Sequence, residues 1–246
     1  MHSFAGDDWK ACRDYLKALG FIADGYEKRN HYSPPPSAAT DDSQKKIEYA
    51  LNIWQQCLPA AGSLVEIYLK HRNLSLIPDA PVRFHPVCPR GKERLPAMVS
   101  LMTDAVTNEP CGIHRIYLKD DGSGKVDSEP QKAMLGRATG AVVRLSSDDA
   151  VTTGLGIVEG IENGLAILGF GFAPVWSALS AGGISGFPVL PGIEALTIFA
   201  DHDNAGLNAA RACASRWAGA GNEVTIRKPL KAGSDWNDIA SKVQNE

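Results

Sequence analysis

From Gly154 onward the sequence alternates, at short and regular spacing, between strand-like and helix-like runs. "GLGIV" leads into the helical "IENGLAILGFG", "EALTIFA" into "AGLNAARACASRWAGAG", and "EVTIRKP" into "DWNDIASKV", while the strand "APVWSAL" runs into the small residues "SAGG". The strand-like runs are short and apolar, and Gly, Pro, Asn and Asp separate them from the helical ones. Strand, helix, strand at this spacing predicts right-handed βαβ crossovers, hence a parallel sheet flanked by helices. The same rule says where to look for chemistry, because in such sheets ligands collect beyond the carboxyl ends of the strands.

Acids stand at those ends. Glu159 follows the first strand, Asp201 and Asp203 follow the third, and Asp235 and Asp238 follow the fourth. If the first and third strands are neighbours, Glu159 and the Asp pair converge. Ionised carboxylates repel one another and are costly to gather without a counter-charge. Mg²⁺ or Mn²⁺ resolves this, since hard cations take carboxylate oxygens, keep several waters and bridge to phosphates. Two such ions about 3.5–4 Å apart stabilise both the attacking and the leaving oxygen in phosphoryl transfer. Each piece alone is weak, because Asp-x-Asp is also ordinary turn and capping chemistry. Within the stretch "IFADHDNAG", Asp201 and Asp203 are the expected ligands and Asn204 the expected helix cap. Glu162 either reaches the metals from the first helical turn or only favours the positive helix terminus. Asp235 is either a ligand or the cap of the last helix.

Upstream the periodicity differs. Residues 7–20 and 47–57 read as helices, and Ser63 with Glu66 three residues later reads as a capping box opening another. Leu64, Ile67, Tyr68 and Leu69 form its expected packing face. Residues 28–46 contain three successive prolines among small polar residues and read as a linker. Between residues 82 and 145, "VRFHP", "AMVSLMT" and "CGIHRIYL" are short strands, the last two pairing across "DAVTNEP" as a hairpin. Cations concentrate here, and most of them, Arg144 included, read as a solvated face.

Composition narrows the class. At 246 residues with 44% hydrophobic and 22% charged residues, the chain is an ordinary globular protein of one large or two modest domains. A net charge of −3 excludes a globally basic nucleic-acid binder but not a local basic surface. The five cysteines are dispersed and include no CxxC pair, so reduced, buried thiols are expected. The apolar runs fall short of a membrane span and no basic-then-apolar leader opens the sequence, so a cytoplasmic protein with no membrane partner is expected.

"IVEGIENGLAIL", "PVWSALSAGG", "IFADHDNAGLNAA" and "AGSDWNDIA" together resemble the Toprim domain of bacterial-type primases, topoisomerases and some nucleases. The likeness is greatest to the Toprim primases of plasmids, phages and other mobile genetic elements. The resemblance implies that Glu159, Asp201 and Asp203 hold divalent metal. Upstream, "RLPAMVSLMTDAVTNEPCGIHRIYLKDDGSGKV" and "QKAMLG" resemble the subdomain that precedes Toprim in these primases. That likeness implies that Arg115 and Lys132 contact template or incoming nucleotide. "HSFAGDDWKACRDYLKALGF" looks like the tail of a primase zinc-ribbon domain. Three departures stand out. Asn163 occupies a place where bacterial primases usually carry Asp, the zinc-ribbon cysteines are missing, and no Walker A motif signals a fused helicase.

The implied architecture is α/β. A tail and helix (1–27) and the linker (28–46) precede a helical and α+β basic subdomain (47–150), and a Rossmann-like Toprim domain follows (151–246). The implied function is a primase-type nucleotidyltransferase acting on single-stranded DNA with nucleoside triphosphates, with a replicative helicase or other replication protein as a further partner. The same acids would serve a Toprim nuclease, and a chain without its zinc finger also fits a non-catalytic nucleic-acid-binding module.

Overall fold

The computed structural model describes residues 41–243, together with Tyr15 and Ala18 as isolated helical positions. The chain divides into two units, Met1–Ala39 and Thr40–Glu246. The expected zinc-ribbon-like tail, most of the helix over residues 7–20, and the linker up to residue 40 lie outside the described residues.

Helix α1 (Asp41–Gln55) begins earlier than expected, so residues 41–46 are helix and not linker. Side-chain pairs one turn apart account for the extension: Lys46 reaches Asp42 at 2.6 Å, and Gln44 donates to Glu48 at 3.4 Å. Ala50 and Ile53 turn inward from this helix. They cover one face of an antiparallel sheet made of β1 (Leu58–Pro59), β2 (Val82–Arg90), β3 (Glu93–Asp104), β4 (Pro110–Tyr117) and β5 (Lys132–Gly136), in that order. A further short strand, β6 (Ala141–Val142), pairs with the end of β3. The expected hairpin is β3–β4, with Met98 opposite Ile116 and Ser100 opposite His114. Because strand side chains alternate, Ala97, Val99, Ile113 and Tyr117 face α1. Met98, Met102 and Ile116 face the opposite way, into a second core.

Helix α2 (Leu64–His71) closes part of that second core. Ser63 Oγ caps it by accepting from the Val65 N–H at 3.1 Å. The capping box is shifted by one residue, since the Glu66 carboxylate accepts from the Gly62 N–H at 2.7 Å and not from Ser63. Val65, Tyr68 and Leu69 are the buried positions, while Ile67, expected on the packing face, is 41% exposed.

The C-terminal sheet is parallel throughout and comprises β7 (Gly154–Val158), β8 (Val175–Ser177), β9 (Ala195–Phe199) and β10 (Glu223–Arg227), ordered β10-β9-β7-β8. The crossovers carry α3 (Ile161–Gly169), α4 (Ala181–Gly186) and α5 (Asn204–Gly219), and α6 (Trp236–Val243) follows β10. On one face Leu155, Ile157, Leu196 and Ile198 pack on Ile184 of α4 and on Ala209, Ala210, Cys213 and Trp217 of α5. The small residues of α5 let it approach closely, and burying a side chain such as Ile198 stabilises by about 1.5–3 kcal/mol. On the other face Val158, Val175 and Phe199 meet Ile167 of α3 and Trp236 of α6. Helix α3 also lends Ile161, Leu165 and Ala166 to the core under the antiparallel sheet, so it is shared between the two sheets.

Arg144 ties the sheets together. Its guanidinium donates to the Asp104 and Ala105 carbonyls, to Thr103 Oγ1 and to Asp148 at 2.7 Å, and it lies 4.3 Å over the Trp176 ring. This overturns its reading as a solvated cation. Beside it, Val143 and Ser177 exchange two backbone hydrogen bonds of 2.9 Å, a direct link between the sheets. Cys88, Cys111 and Cys213 are buried and Cys57 half-buried, all unpaired. Burial pushes the Cys213 thiol up to about 11 and the Cys57 thiol up to about 12, which keeps both protonated and unreactive. No described helix is long and apolar enough to cross a membrane.

Candidate metal and nucleotide site

Because β7 and β9 are adjacent, with Val158 paired to Phe199, the residues that follow them leave the sheet side by side. Glu159 is fixed at its backbone by Ser177, whose hydroxyl donates to the Glu159 carbonyl at 2.9 Å. Burial raises the pKa of its carboxyl despite nearby Lys132, with Asp203 adding to the rise and the Ala181 backbone at the start of α4 opposing it. Asp201 is the most perturbed acid. Burial, then the negative charges of Glu159, Asp235 and Asp203, push its carboxyl up to about 7.

The orientation of Asp201 is held from below. Asn163 donates from Nδ2 to Asp201 Oδ1 at 2.8 Å, and its own carbonyl oxygen accepts from the Asn237 N–H at 3.1 Å. A single buried amide thus connects α3, the β9 turn and α6, and the distinct partners fix which end is nitrogen. Gly206 is required here by close approach, since a Cβ on it would stand 2.8 Å from the Asp201 carbonyl oxygen.

Asp203, expected as a ligand with Asn204 as the cap, is itself the N-cap of α5. Its Oδ1 accepts from the Gly206 N–H at 2.7 Å, and Asn204 is the first helical residue. The second oxygen of a capping carboxylate remains available for coordination, so the two roles are compatible. Asp235 is likewise a cap: it accepts from the Asp238 N–H at 2.8 Å, while Asp238 accepts from the Asp235 N–H at 3.2 Å. It also lines the cleft that contains Glu159 and Asp201.

That cleft, about 110 Å³, is also lined by Lys132, Lys125 and Arg72. Lys132, at the start of β5, was expected near the site and is there. Lys125 and Arg72 were not singled out by their sequence context. Both are organised by Glu162, whose Oε1 accepts from Tyr68 OH at 2.5 Å and lies 2.8 Å from Lys125 Nζ and 3.6 Å from Arg72 Nε. Burial alone would raise the Glu162 pKa, but Lys125, Tyr68 and Arg72 more than offset it and hold the carboxyl below its usual range. Glu162 is therefore committed to the cationic wall rather than to the acid cluster.

Arg115 is not in the cleft. Its strand partner is Val99, and its guanidinium donates to the Pro89 carbonyl at 2.8 Å and packs beside the Tyr117 ring, on the α1 side of the sheet. Its neighbour His114 takes the alternate face, near Glu162, Lys132 and Lys125, and burial pushes its imidazole down to about 4, so it is neutral.

The donor set is all carboxylate oxygen, which suits a hard divalent cation. The raised carboxyl of Asp201 marks a concentration of negative charge that such a cation relieves. Among the described residues no three His, Cys, Asp or Glu side chains are placed to hold a metal ion by themselves. The arrangement fits an ion that keeps much of its water, as Mg²⁺ does.

Residues 154–246 match the family model of the Toprim domain, and residues 44–145 match a domain of unknown function, DUF7146. No curated protein matches the sequence. Among solved structures, the DnaG catalytic core is 16% identical, with a TM-score of 0.57 over 81% of this chain and 75% of that one. A DNA primase domain from Pseudomonas aeruginosa is 14% identical, with a TM-score of 0.54 over 80% of this chain and 74% of that one. The RNA polymerase domain of Mycobacterium tuberculosis primase DnaG, in complex with double-stranded DNA, is 12% identical, with a TM-score of 0.51 over 84% and 80%. At these identities the likeness is one of fold.

Proposed function

Given that residues 154–246 form a Toprim domain in a chain with the fold of primase catalytic cores, we propose that this protein is a primase-type nucleotidyltransferase that makes short primers on single-stranded DNA from nucleoside triphosphates. One observation carries the reading: Glu159, Asp201 and Asp235 line one small cleft together with Lys132, Lys125 and Arg72. Acids that bind metal, beside cations that bind phosphate, are what nucleotidyl transfer requires.

In this reading the 3′-hydroxyl of one nucleotide attacks the α-phosphorus of the next, and the bond to pyrophosphate breaks in line. Mg²⁺ or Mn²⁺ held by Glu159, Asp201 and Asp203 would lower the pKa of the hydroxyl and neutralise the charge developing on the phosphate. Lys132 projects from β5 toward Glu159 and Asp201 and holds the triphosphate by charge-assisted hydrogen bonds. Lys125 and Arg72 extend that grip, kept in place by Glu162. Asn163 keeps the Asp201 carboxylate turned toward the cleft, and Asp235 adds negative charge at its rim. Arg115 supports the β2–β4 scaffold and takes no part in the chemistry.

The test is incorporation of labelled ribonucleotides on a single-stranded DNA circle with Mg²⁺ or Mn²⁺. Oligomeric product is expected from the wild type, none from Asp201→Asn or Glu159→Gln, and a raised KM for nucleotide from Lys132→Ala. Undiminished synthesis by Asp201→Asn would overturn the metal assignment. Nicking of plasmid DNA without synthesis would instead favour a Toprim nuclease.

A further inference from the structure

Beside the acidic cleft lies a second concavity, of about 340 Å³, that the proposed chemistry does not use. Its walls are Phe170, Phe172, Phe199 and Trp236, with Arg227 at the rim. The rings form a chain of edge-to-face contacts, Phe172 to Phe199 at 4.8 Å and Phe199 to Trp236 at 5.3 Å. The backbone makes room for them: a Cβ on Gly156 would stand 2.7 Å from Phe172 Cε1 and 3.2 Å from Phe199 Cε2. Phe170 is 44% exposed at the mouth.

The two depressions share their supports. Phe199 lines the aromatic one and Asp201, two residues on, lines the acidic one; Trp236 and Asp235 divide in the same way. Phe170 at the mouth ends α3 and Glu162 of the cleft begins it, about 12 Å apart along the helix, a span of a few nucleotides of a strand.

The surroundings are cationic. From Arg227 the chain continues through Lys228, Leu230 and Lys231, and Leu230 is fully exposed at 100%. Among the described residues none of Arg227, Lys228 and Lys231 forms an ion pair with a carboxylate. This loop is fastened to the catalytic turn: the His202 N–H donates to the Ser234 carbonyl at 3.1 Å, the Gly233 N–H donates to the His202 carbonyl at 2.8 Å, and Lys228 Nζ is 2.7 Å from His202 Nε2. Its cations are thereby held near the residue that separates Asp201 from Asp203.

We infer that the aromatic depression receives a base of single-stranded nucleic acid, with Arg227, Lys228 and Lys231 following its phosphates. Aromatic faces that accept any base, bordered by unpaired cations, are the means by which single strands are bound without sequence preference. An apolar protein segment would bring no counter-charge to the three cations, Lys228 having only the His202 ring nitrogen beside it, whereas a polyanion supplies that charge. The choice of occupant rests on the proposed role in primer synthesis; the pocket and its charge do not.

The test uses the whole chain carrying Asp201→Asn, without metal, so that no turnover occurs. Fluorescence anisotropy is read with a labelled oligothymidylate and with an abasic strand of equal length. Phe170→Ala is expected to weaken binding of the thymidylate about 5–10-fold, at the lower end of base-stacking effects, and to leave the abasic strand unchanged. Phe170→Trp restores the difference between the strands. Arg227→Ala with Lys231→Ala weakens both strands alike and flattens the salt dependence by about 0.7 per charge in log–log slope. If Phe170→Ala changes neither strand, or both equally, the inference is overturned, and the first of these outcomes is the one a protein-docking groove would give. Base-dependent binding that persists in a protein making no primers leaves this inference standing and refutes only the proposed chemistry.

Discussion

Replacing Asp201 by Asn should make the metal-free protein more stable, although it removes a hydrogen-bonding charged group from a half-buried site. The Asp201 carboxyl is raised from 3.8 to about 7, first by burial and then by Glu159, Asp235 and Asp203. The folded form therefore holds a proton that the unfolded chain releases. With the folded pKa above the unfolded one, stability from this group is fully present below about pH 4 and is lost as pH rises towards 7. At about 1.4 kcal/mol per tenfold change in proton affinity the interval is worth about 4 kcal/mol. Solvent reaching the half-exposed carboxylate reduces this to about 2 kcal/mol. Asn cannot ionise, and its side-chain oxygen still accepts from Asn163 Nδ2, so the support from α3 survives. For a domain of this size about 2 kcal/mol is a rise in Tm of roughly 4–8 °C. Thermal unfolding in chelator should show that rise near about pH 8, shrinking toward zero near about pH 4. Mg²⁺ should then stabilise the wild type and leave Asp201→Asn unchanged. A variant less stable than the wild type in chelator at about pH 8, or a difference that does not vary with pH, would refute the electrostatic reasoning.

Glu162→Gln removes the charge that holds Lys125 and Arg72 and should destabilise by about 2–3 kcal/mol in urea titration, because two partly buried cations lose their common partner. The Glu162 pKa is lowered, so its contribution is present above the usual carboxylate range and lost as pH falls through it, and the gap between variant and wild type should close in acid. Asp203→Ala should cost about 1 kcal/mol through loss of the α5 cap, whereas Asp203→Asn, itself a good cap, should keep stability; both should lose primer synthesis. Gly156→Ala should cost about 1–3 kcal/mol by pressing a methyl into the Phe172–Phe199 pair, read as a fall in Tm.

The parallel sheet was legible because its strands end in turn signals and three of the intervening runs read as helices, so local pattern and tertiary arrangement agree, whereas α4, with Ile184 as its one buried side chain, carries no such pattern. Adjacency of β7 and β9 then brought Glu159 and Asp201 together, as their places at strand ends imply. Arg115 lies away from the cleft, and its strand context hides this for a physical reason. Nearly every residue of β4 is buried on both faces, so alternation in polarity, which normally reveals which way a strand residue points, is missing there. Parity alone would have served: Arg115 shares a face with Ile113 and Tyr117, and His114 points to the opposite one. Arg72 and Lys125 had no local signal and Tyr68 only that of a packing face, since the three meet Glu162 only when α2, the loop after β4 and α3 pack together. The cap of α5 differed by one residue because Asp and Asn are nearly equal caps, and the close approach of Gly206 to Asp201 decides the register.

The central claim is that the carboxylates beyond β7 and β9 hold a divalent cation beside the cationic wall. Its most direct test is Mn²⁺ binding by the whole chain, followed by electron paramagnetic resonance, in the wild type and in Asp201→Asn, Glu159→Gln and Asp238→Asn. Saturable binding is expected from the wild type, lost in the first two variants, retained in the third, and weakening as pH falls below about 7, where Asp201 takes up its proton. Binding of equal affinity in the wild type and Asp201→Asn would contradict it.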